Sequence, residues 1–455
     1  MRYAAIPLLL ALISTTYAGA QSTPPAKPSA KPTPASARTE AKPAAKPVAR
    51  PAIVKVSQAN APTFDANTYE RISQAMLSYT VIEVRGGWPA LPAKAKLAPG
   101  SSGPEVALLR QRLAITDDLP AEKAEGDVYD DAVVAAVKLF QMRHGLEESG
   151  VVGPQTLAAM NVPVKKRIRQ LAATLDRMAE MNLSNFAFGQ RYVVVNIPAA
   201  VAEAVENDGV KRRYVVVVGK TDRPSPTLTT SITAINFNPT WTVPLGILKK
   251  DIVTKMRKDP GYVGRMRMRV LDARGEEIDA RSVDWNSDRA PNFTVRQDAG
   301  NGNALGALRI DMPNSYSVYM HDTNHKEFFS KDYRFASSGC TRVADVRDLA
   351  AWLLEDNGGW DRKQVDATIA KATSSTTRLT RKVPVAWVYF TGWVTRDEIV
   401  HFRDDIYNHD EIKGRPLVSQ VAKPPVQTAA RASGFVLQSA DSTPVIKQVS
   451  YLDSQ

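Results

Sequence analysis

The sequence predicts an α+β multidomain protein: a β-rich, sandwich-like domain in the C-terminal half, preceded by a helical scaffold and a small three-helix module. Three observations carry this. Up to about residue 181 apolar residues recur at helical spacing, and after Arg191 the pattern changes to β-branched runs closed by turn residues. Within the helical part, glycine and proline punctuate a compact segment at 99–160. At 455 residues with 44% hydrophobic content, the chain can bury several cores.

Residues 1–20 read as a signal peptide. Arg2 gives a positive start, residues 4–13 are apolar but too short to span a bilayer, and Ala18-Gly19-Ala20 is a small-residue cleavage site. Export is expected, the other reading being an uncleaved amino-terminal anchor. No cysteine follows the cut and no later stretch of about 18 apolar residues occurs, so neither a lipid anchor nor an integral membrane span is expected. Residues 21–62 are rich in Pro, Ala and Lys, as in Pro24-Pro25-Ala26-Lys27-Pro28, and cannot bury a core. They read as a disordered, partly polyproline II tether. Their cations supply part of the net charge of +12, either as attraction to an anionic surface or as a solvated spacer.

Helical spacing at 69–81 ends at Gly86-Gly87-Trp88-Pro89. The module at 99–160 reads as helices 105–113, 129–144 and 154–160, with Val133, Val134, Val137 and Phe140 as an apolar face. Residues 164–181 form an amphipathic helix on Ile168, Leu171, Leu175 and Met178. Segments 63–98 and 161–190 are therefore assigned to a scaffold that the module interrupts.

The domain at 191–414 opens with strands at 192–197, 213–218 and 229–237. Residues 245–300 are more polar, with a helix at 249–258 and a turn at Asp259-Pro260-Gly261, and interrupt the sheet. Helices at 343–354 and 362–371 and a strand at 383–390 follow. The aromatic run Trp387, Tyr389, Phe390, Trp393 could grip a glycan, but strand alternation favours core. The polar composition of 415–455 predicts a disordered tail.

The chemistry is placed at Cys340 and His321. Cys340 is the only cysteine; in an exported protein it cannot form an internal disulfide, and an unused thiol is a liability. Free cysteines are commonly buried hydrophobes, yet Ser337-Ser338-Gly339 before it and Thr341-Arg342 after it make a polar turn. The β-prone run 316–320 delivers His321 to a strand end. With a helix expected from Val343, Cys340 would lie near the positive end of a helix dipole, which lowers a thiol pKa while the imidazole takes the proton. The backbone N–H groups of Gly339 and Cys340 are then candidate oxyanion donors. Arg342 could hold a carboxylate or pair with Asp345. The group orienting His321 is left open between the Asp322 carboxylate, its main-chain carbonyl, Ser337 and Ser338. His321 and His325 could be half a metal site only on a helix, and Asp322-Thr323-Asn324 reads as a turn, so no metal and no cofactor is expected. No nucleic-acid motif accompanies the basic balance.

These residues resemble the active-site signature of the L,D-transpeptidases. Met320-His321-Asp322 is followed by Ser337-Ser338-Gly339-Cys340-Thr341-Arg342-Val343, with histidine and cysteine 19 positions apart. Many members have histidine where Ser338 stands; serine is similar to the larger branch that bears a scaffold. Phe140-Gln141-Met142-Arg143-His144-Gly145-Leu146 with Gly153-Pro154-Gln155-Thr156-Leu157 resembles a small peptidoglycan-binding module. Ser225-Pro226-Thr227 and Asn238-Pro239-Thr240-Trp241 also resemble the family, and 245–300 is similar to its capping subdomain, although Ala299-Gly300 replaces the usual Pro-Gly.

The resemblance implies an enzyme that acts on peptidoglycan tetrapeptide stems through a cysteine acyl-enzyme. Cys340 would attack the carbonyl of the third, diamino residue and release the terminal D-alanine. His321 would be the base, and Gly339, Ser338 and Arg342 would serve oxyanion and substrate. The product would be 3-3 cross-links; the alternatives are an L,D-carboxypeptidase or hydrolase on the same fold, or transfer of stems onto a wall-anchored protein. Implied partners are stem peptides and glycan, with cell-wall synthases or anchored proteins, and the implied location is the periplasm, associated with the wall.

Overall fold

A computed structural model of the chain describes residues 56–411. Residues 1–55 and 412–455, which hold the expected signal peptide, most of the expected tether and the tail expected at 415–455, lie outside the described residues. Residues 56–62, expected to be tether, instead lie against the sheet. The Arg213 guanidinium donates to the carbonyls of Ser57, Ala59 and Ala61, and Gln58 bonds the Arg213 main chain. One planar fork with five donors satisfies several carbonyls of a segment that has no secondary structure of its own.

The helical half contains α1 (Thr68–Val84), α2 (Pro104–Ala114), α3 (Asp131–Arg143), α4 (Pro154–Met160) and α5 (Val164–Glu180). Proline begins α2 and α4, where its missing N–H costs nothing, and the Asp130 carboxylate caps α3 by accepting from the Val133 amide at 3.0 Å. Val106, Leu109, Val133, Val137, Phe140 and Met160 close the module core. Gln141 is spent on structure: its amide donates to the Val151 carbonyl at 2.9 Å and accepts from the Gly150 amide at 2.9 Å. α1 and α5 share a core through Ile72, Tyr79, Leu171 and Leu175. Trp88 joins them by donating its indole N–H to the Val162 carbonyl at 3.1 Å.

The module is docked through buried charge. Arg143 forks onto Asp118 with both contacts at 2.5 Å and donates to the Val400 carbonyl, while Arg403 donates back to the Arg143 carbonyl at 2.9 Å. His144 stacks on Phe140 at 3.9 Å and faces Phe402 at 5.7 Å.

The β-rich domain begins with β1 (Arg191–Asn196), β2 (Val201–Glu206), β3 (Gly209–Gly219) and β4 (Leu228–Phe237). Nine strands bond in the order Phe335–Ser337, β3, Thr341–Val343, Met320–His321, Leu308–Asp311, β4, Ser375–Val388, β1, β2. Because β2 also pairs with β3, the sandwich-like form is one sheet curled back on itself. Inside lie Val193, Val195, Val216, Ile235, Ile310 and Trp387, together with Leu349 and Leu353 of the helix Val346–Leu354. The other face of β1, Tyr192 and Val194, packs on the scaffold, so every residue of that strand is buried.

Trp241–Thr242, Met268–Leu271, Glu277–Ile278 and Thr294–Gln297 form a separate four-stranded sheet. With the helical turns from Leu245 to Lys258, it encloses its own core of Leu248, Ile252, Met256, Val270 and Trp285. These elements, most of them within 245–300, are called the cap.

Several expectations need correcting. The helix after Cys340 starts at Val346, not Val343, and Thr341–Val343 is a strand. Its β-branched Thr and Val pair with Met320 and with Val216, and Asp345, at φ +49°, separates the strand from the helix. The run before His321 is a strand only at Met320–His321; the Asn314 side chain accepts from the amides of Tyr316 and Val318 and turns the chain. β2 escaped the reading because Ala and Glu have low strand propensity. The strand expected at 383–390 starts at Ser375, with a bulge between Arg378 and Val383. Trp387, Tyr389, Phe390 and Trp393 are core, each at most 3% exposed.

Candidate active site

Register across the sheet assembles the site. Asn236 of β4 pairs with Arg309, Arg309 with His321, and His321 with Arg342. Paired positions place their side chains on one face. His321 therefore stands in a row between two arginines, while its neighbours Met320 and Ile310 point into the core.

His321 is buried, and its Nδ1 lies 2.5 Å from the main-chain carbonyl of Asp322. Only an Nδ1–H can donate there, so Nε2 keeps its lone pair for proton transfer. Burial, and then the Arg342 charge, push the imidazole down to about 3, so it is neutral at pH 7. This answers the question of what orients the ring. The Asp322 carboxylate points elsewhere: it accepts from the Ala307 amide at 2.9 Å and from Lys326. Gly306 makes that approach possible. At φ +62°, a Cβ there would lie 2.6 Å from the Asp322 side chain.

The Thr341 amide donates to the Tyr319 carbonyl at 3.1 Å and sets Cys340 beside Tyr319. The turn carrying the thiol is built by hydroxyls. Ser337 accepts from the Gly339 amide at 3.2 Å and donates to the Cys340 carbonyl at 2.5 Å. Ser225 donates to the Gly339 carbonyl at 2.7 Å and accepts from the Gly219 amide at 2.9 Å. Tyr407 in turn donates to the Gly219 carbonyl and accepts from the Ser225 amide at 3.3 Å. Gly339 sits at φ +114°, a conformation that residues with a Cβ rarely adopt.

Cys340 is half-buried, and burial pushes its thiol up to about 11. Hydrogen bonding from Tyr319 and the charges of Arg342 and Arg309 oppose that rise without cancelling it. The thiol, expected to be lowered by a helix dipole, is instead raised by burial, and a strand rather than a helix start follows the cysteine. The oxyanion expectation narrows as well: the Gly339 amide is engaged by Ser337, whereas the Cys340 amide donates to no described residue.

Ser338 is exposed and accepts from Arg223 at 3.2 Å, and Arg223 forks onto Asp251 of the cap at 2.5 and 2.8 Å. Arg342 lies with its guanidinium carbon 5.5 Å from the Phe328 ring centre, its Nε buried without a partner. The ion pair considered with Asp345 does not form; Asp345 pairs with Arg212 at 3.0 Å. His325 is exposed and meets Glu327 at 3.0 Å. Among the described residues no group of three His, Cys, Asp or Glu could hold a metal ion.

A cleft of about 460 Å³ opens between sheet and cap, lined by Asn236, Arg309 and Tyr319 on the sheet side and by Thr242, Val243 and Leu245 at the cap. Tyr319 connects it to the base candidate, with its ring centre 5.6 Å from that of His321. Sequence reasoning missed Tyr319, although a tyrosine two residues before His321 on a strand shares its face. It also missed Arg309 and Tyr407, for which no local signal exists.

Residues 190–383 match the family model described as "L,D-transpeptidase catalytic domain", and residues 102–160 match the one described as "Putative peptidoglycan binding domain". A protein of Haemophilus influenzae described as "Putative L,D-transpeptidase" is 32% identical over 219 residues, 48% of this chain and 44% of that one. The chain therefore spans less than half the length of that curated relative. The crystal structure of an L,D-transpeptidase from Xylanimonas cellulosilytica is 18% identical, covering 66% of this chain and 98% of its own, with a TM-score of 0.20. One from Stackebrandtia nassauensis is 15% identical, covering 66% and 96%, with a TM-score of 0.24.

Proposed function

We propose that this chain, which carries an L,D-transpeptidase catalytic domain beside a peptidoglycan-binding-type module, acts on peptidoglycan tetrapeptide stems through Cys340 and forms 3-3 cross-links. One observation supports this above the others: His321, with Nδ1 committed to the Asp322 carbonyl, keeps Nε2 free as a base, and it shares a face with Tyr319, which lies opposite the sole cysteine across the paired strands.

Both groups are neutral, so the proton moves during attack rather than before it. Nε2 takes the thiol proton as sulfur bonds to the carbonyl carbon of the third residue. The oxyanion so formed is received by the Cys340 amide. Collapse of the intermediate breaks the C–N bond, and His321 returns its proton to the departing D-alanine amine. An amine from a neighbouring stem then attacks the thioester, loses its proton to His321 and regenerates the thiol. The cap favours an amine over water by roofing the cleft. Export to the periplasm rests on residues outside those described; among the described residues no helix is long and apolar enough to cross a membrane.

The test is intact-mass and product analysis with disaccharide-tetrapeptide, comparing wild type with Cys340→Ala. The expected result is an adduct on Cys340 followed by a cross-linked dimer, both absent in the variant. An adduct that resolves only to tripeptide would make the protein a hydrolase, and no adduct on folded protein would overturn the reading.

A further inference from the structure

Arg309 is the cation of the cleft. Its Nε and Nη2 bond Asp311 at 2.6 and 3.3 Å, and Asp311 is itself held by the Asn236 amide. Asn236 is fixed in turn, because its oxygen accepts from Thr376 at 2.6 Å. The guanidinium lies 5.3 Å over the Tyr319 ring, and its side chain remains 30% exposed. Nη1 donates to no described residue. The fork is therefore oriented before any ligand arrives, with both Nη1 donors left over, in a cleft whose other wall includes Thr242, Val243 and Leu245.

Arg342, the arginine on the other side of His321, is not placed this way. Its guanidinium lies over Phe328, and Arg342 does not line the cleft. Both arginines act electrostatically on the Cys340 thiol, but only Arg309 also faces a space large enough for a peptide.

We infer that Arg309 binds a free carboxylate of the donor peptide, next to the carbonyl that Cys340 attacks. Pre-oriented guanidinium donors match a carboxylate, and a partly desolvated site strengthens the contact. The inference rests on the acyl-transfer reading above. Two groups on such a donor carry this chemistry: the side-chain carboxylate of the residue that becomes the acyl group, and the α-carboxylate of the residue that leaves. Arg309 recognises one of them, which makes the enzyme selective for acids over amides at that position.

Three donors separate the cases: the disaccharide-tetrapeptide, its C-terminal amide, and the form amidated on the third residue's side chain. Acylation of Cys340 is followed by intact mass for the wild type, Arg309→Gln and Arg309→Lys. Losing a hydrogen bond to a charged group predicts that the wild type is slower by about ten- to a hundred-fold on one of the two amides. That amide names the carboxylate bound. Arg309→Gln should treat it and the parent acid alike, at the wild type's rate for the amide within about threefold, which also shows that the variant is folded. Arg309→Lys should keep part of the preference. Equal acylation of the wild type by all three donors, or an undiminished preference in Arg309→Gln and Arg309→Lys, overturns the inference and leaves the acyl-transfer reading standing. No acylation of the wild type by any donor overturns both.

Discussion

A thiol held up to about 11 and an imidazole on the paired strand held down to about 3 make a specific statement about how Cys340 reacts. A preformed thiolate–imidazolium pair would need the reverse order. The perturbation is pH, alone and combined with His321→Gln. With the thiol moved from 9.0 to about 11, about one molecule in ten thousand carries a thiolate at pH 7, against about one in a hundred for the unshifted group. Alkylation by iodoacetamide requires the thiolate. Its rate should therefore climb about tenfold per pH unit through pH 10, with no plateau near neutrality. Acylation by the donor peptide uses His321 as base, so it should stay level between pH 5 and 9. Replacing His321 by Gln should lower that acylation by about 10²- to 10⁴-fold, while the alkylation profile moves by no more than about threefold. An alkylation midpoint below pH 8, or its collapse in His321→Gln, would refute the neutral pair.

Three further outcomes follow from the same geometry. Ser225→Ala removes a buried hydroxyl that satisfies the Gly339 carbonyl and the Gly219 amide; two orphaned groups predict a loss of about 2–4 kcal/mol in urea unfolding and slower acylation, and an unchanged stability would mean that the hydroxyl does not brace the turn. Gly306→Ala puts a Cβ 2.6 Å from the Asp322 side chain at a positive φ, so donor acylation should fall more than about tenfold with circular dichroism retained, and normal acylation would free His321 from dependence on that turn. His144, His321 and His401 are all held below their ordinary value by burial, so as pH falls below 6.5 the unfolded chain takes up their protons first. Stability should be full above that pH and decline toward pH 4.5 by up to about 1.4 kcal/mol per unit per histidine; a urea midpoint that ignores pH over this window would contradict it.

The readable parts of the chain were those in which function or structure is written locally. A single thiol in a polar Ser-Ser-Gly turn, a histidine 19 residues before it, and the glycine and proline punctuation of a helical module are visible without coordinates, because turn chemistry and helical spacing act over a few residues. Strand alternation correctly consigned Trp387 and Phe390 to the core. Boundaries were poorer where local propensity and pairing disagree. Thr341-Arg342-Val343 runs directly into a helical pattern, and only partners at Val216 and Met320 make it a strand.

Burial, which also depends on the tertiary structure, is what raises the thiol. The sequence by itself singled out Cys340 as the candidate nucleophile, His321 as the candidate base, and the helical module. Tertiary structure alone decided that Asp322 orients His321 through its carbonyl, that Ser225 and Tyr407 brace the thiol turn, and that Arg309 stands next to the base in register. The physical reason is sequence separation: hydrogen bonds and strand pairs that join residues tens to nearly two hundred positions apart leave no periodicity in the chain to read.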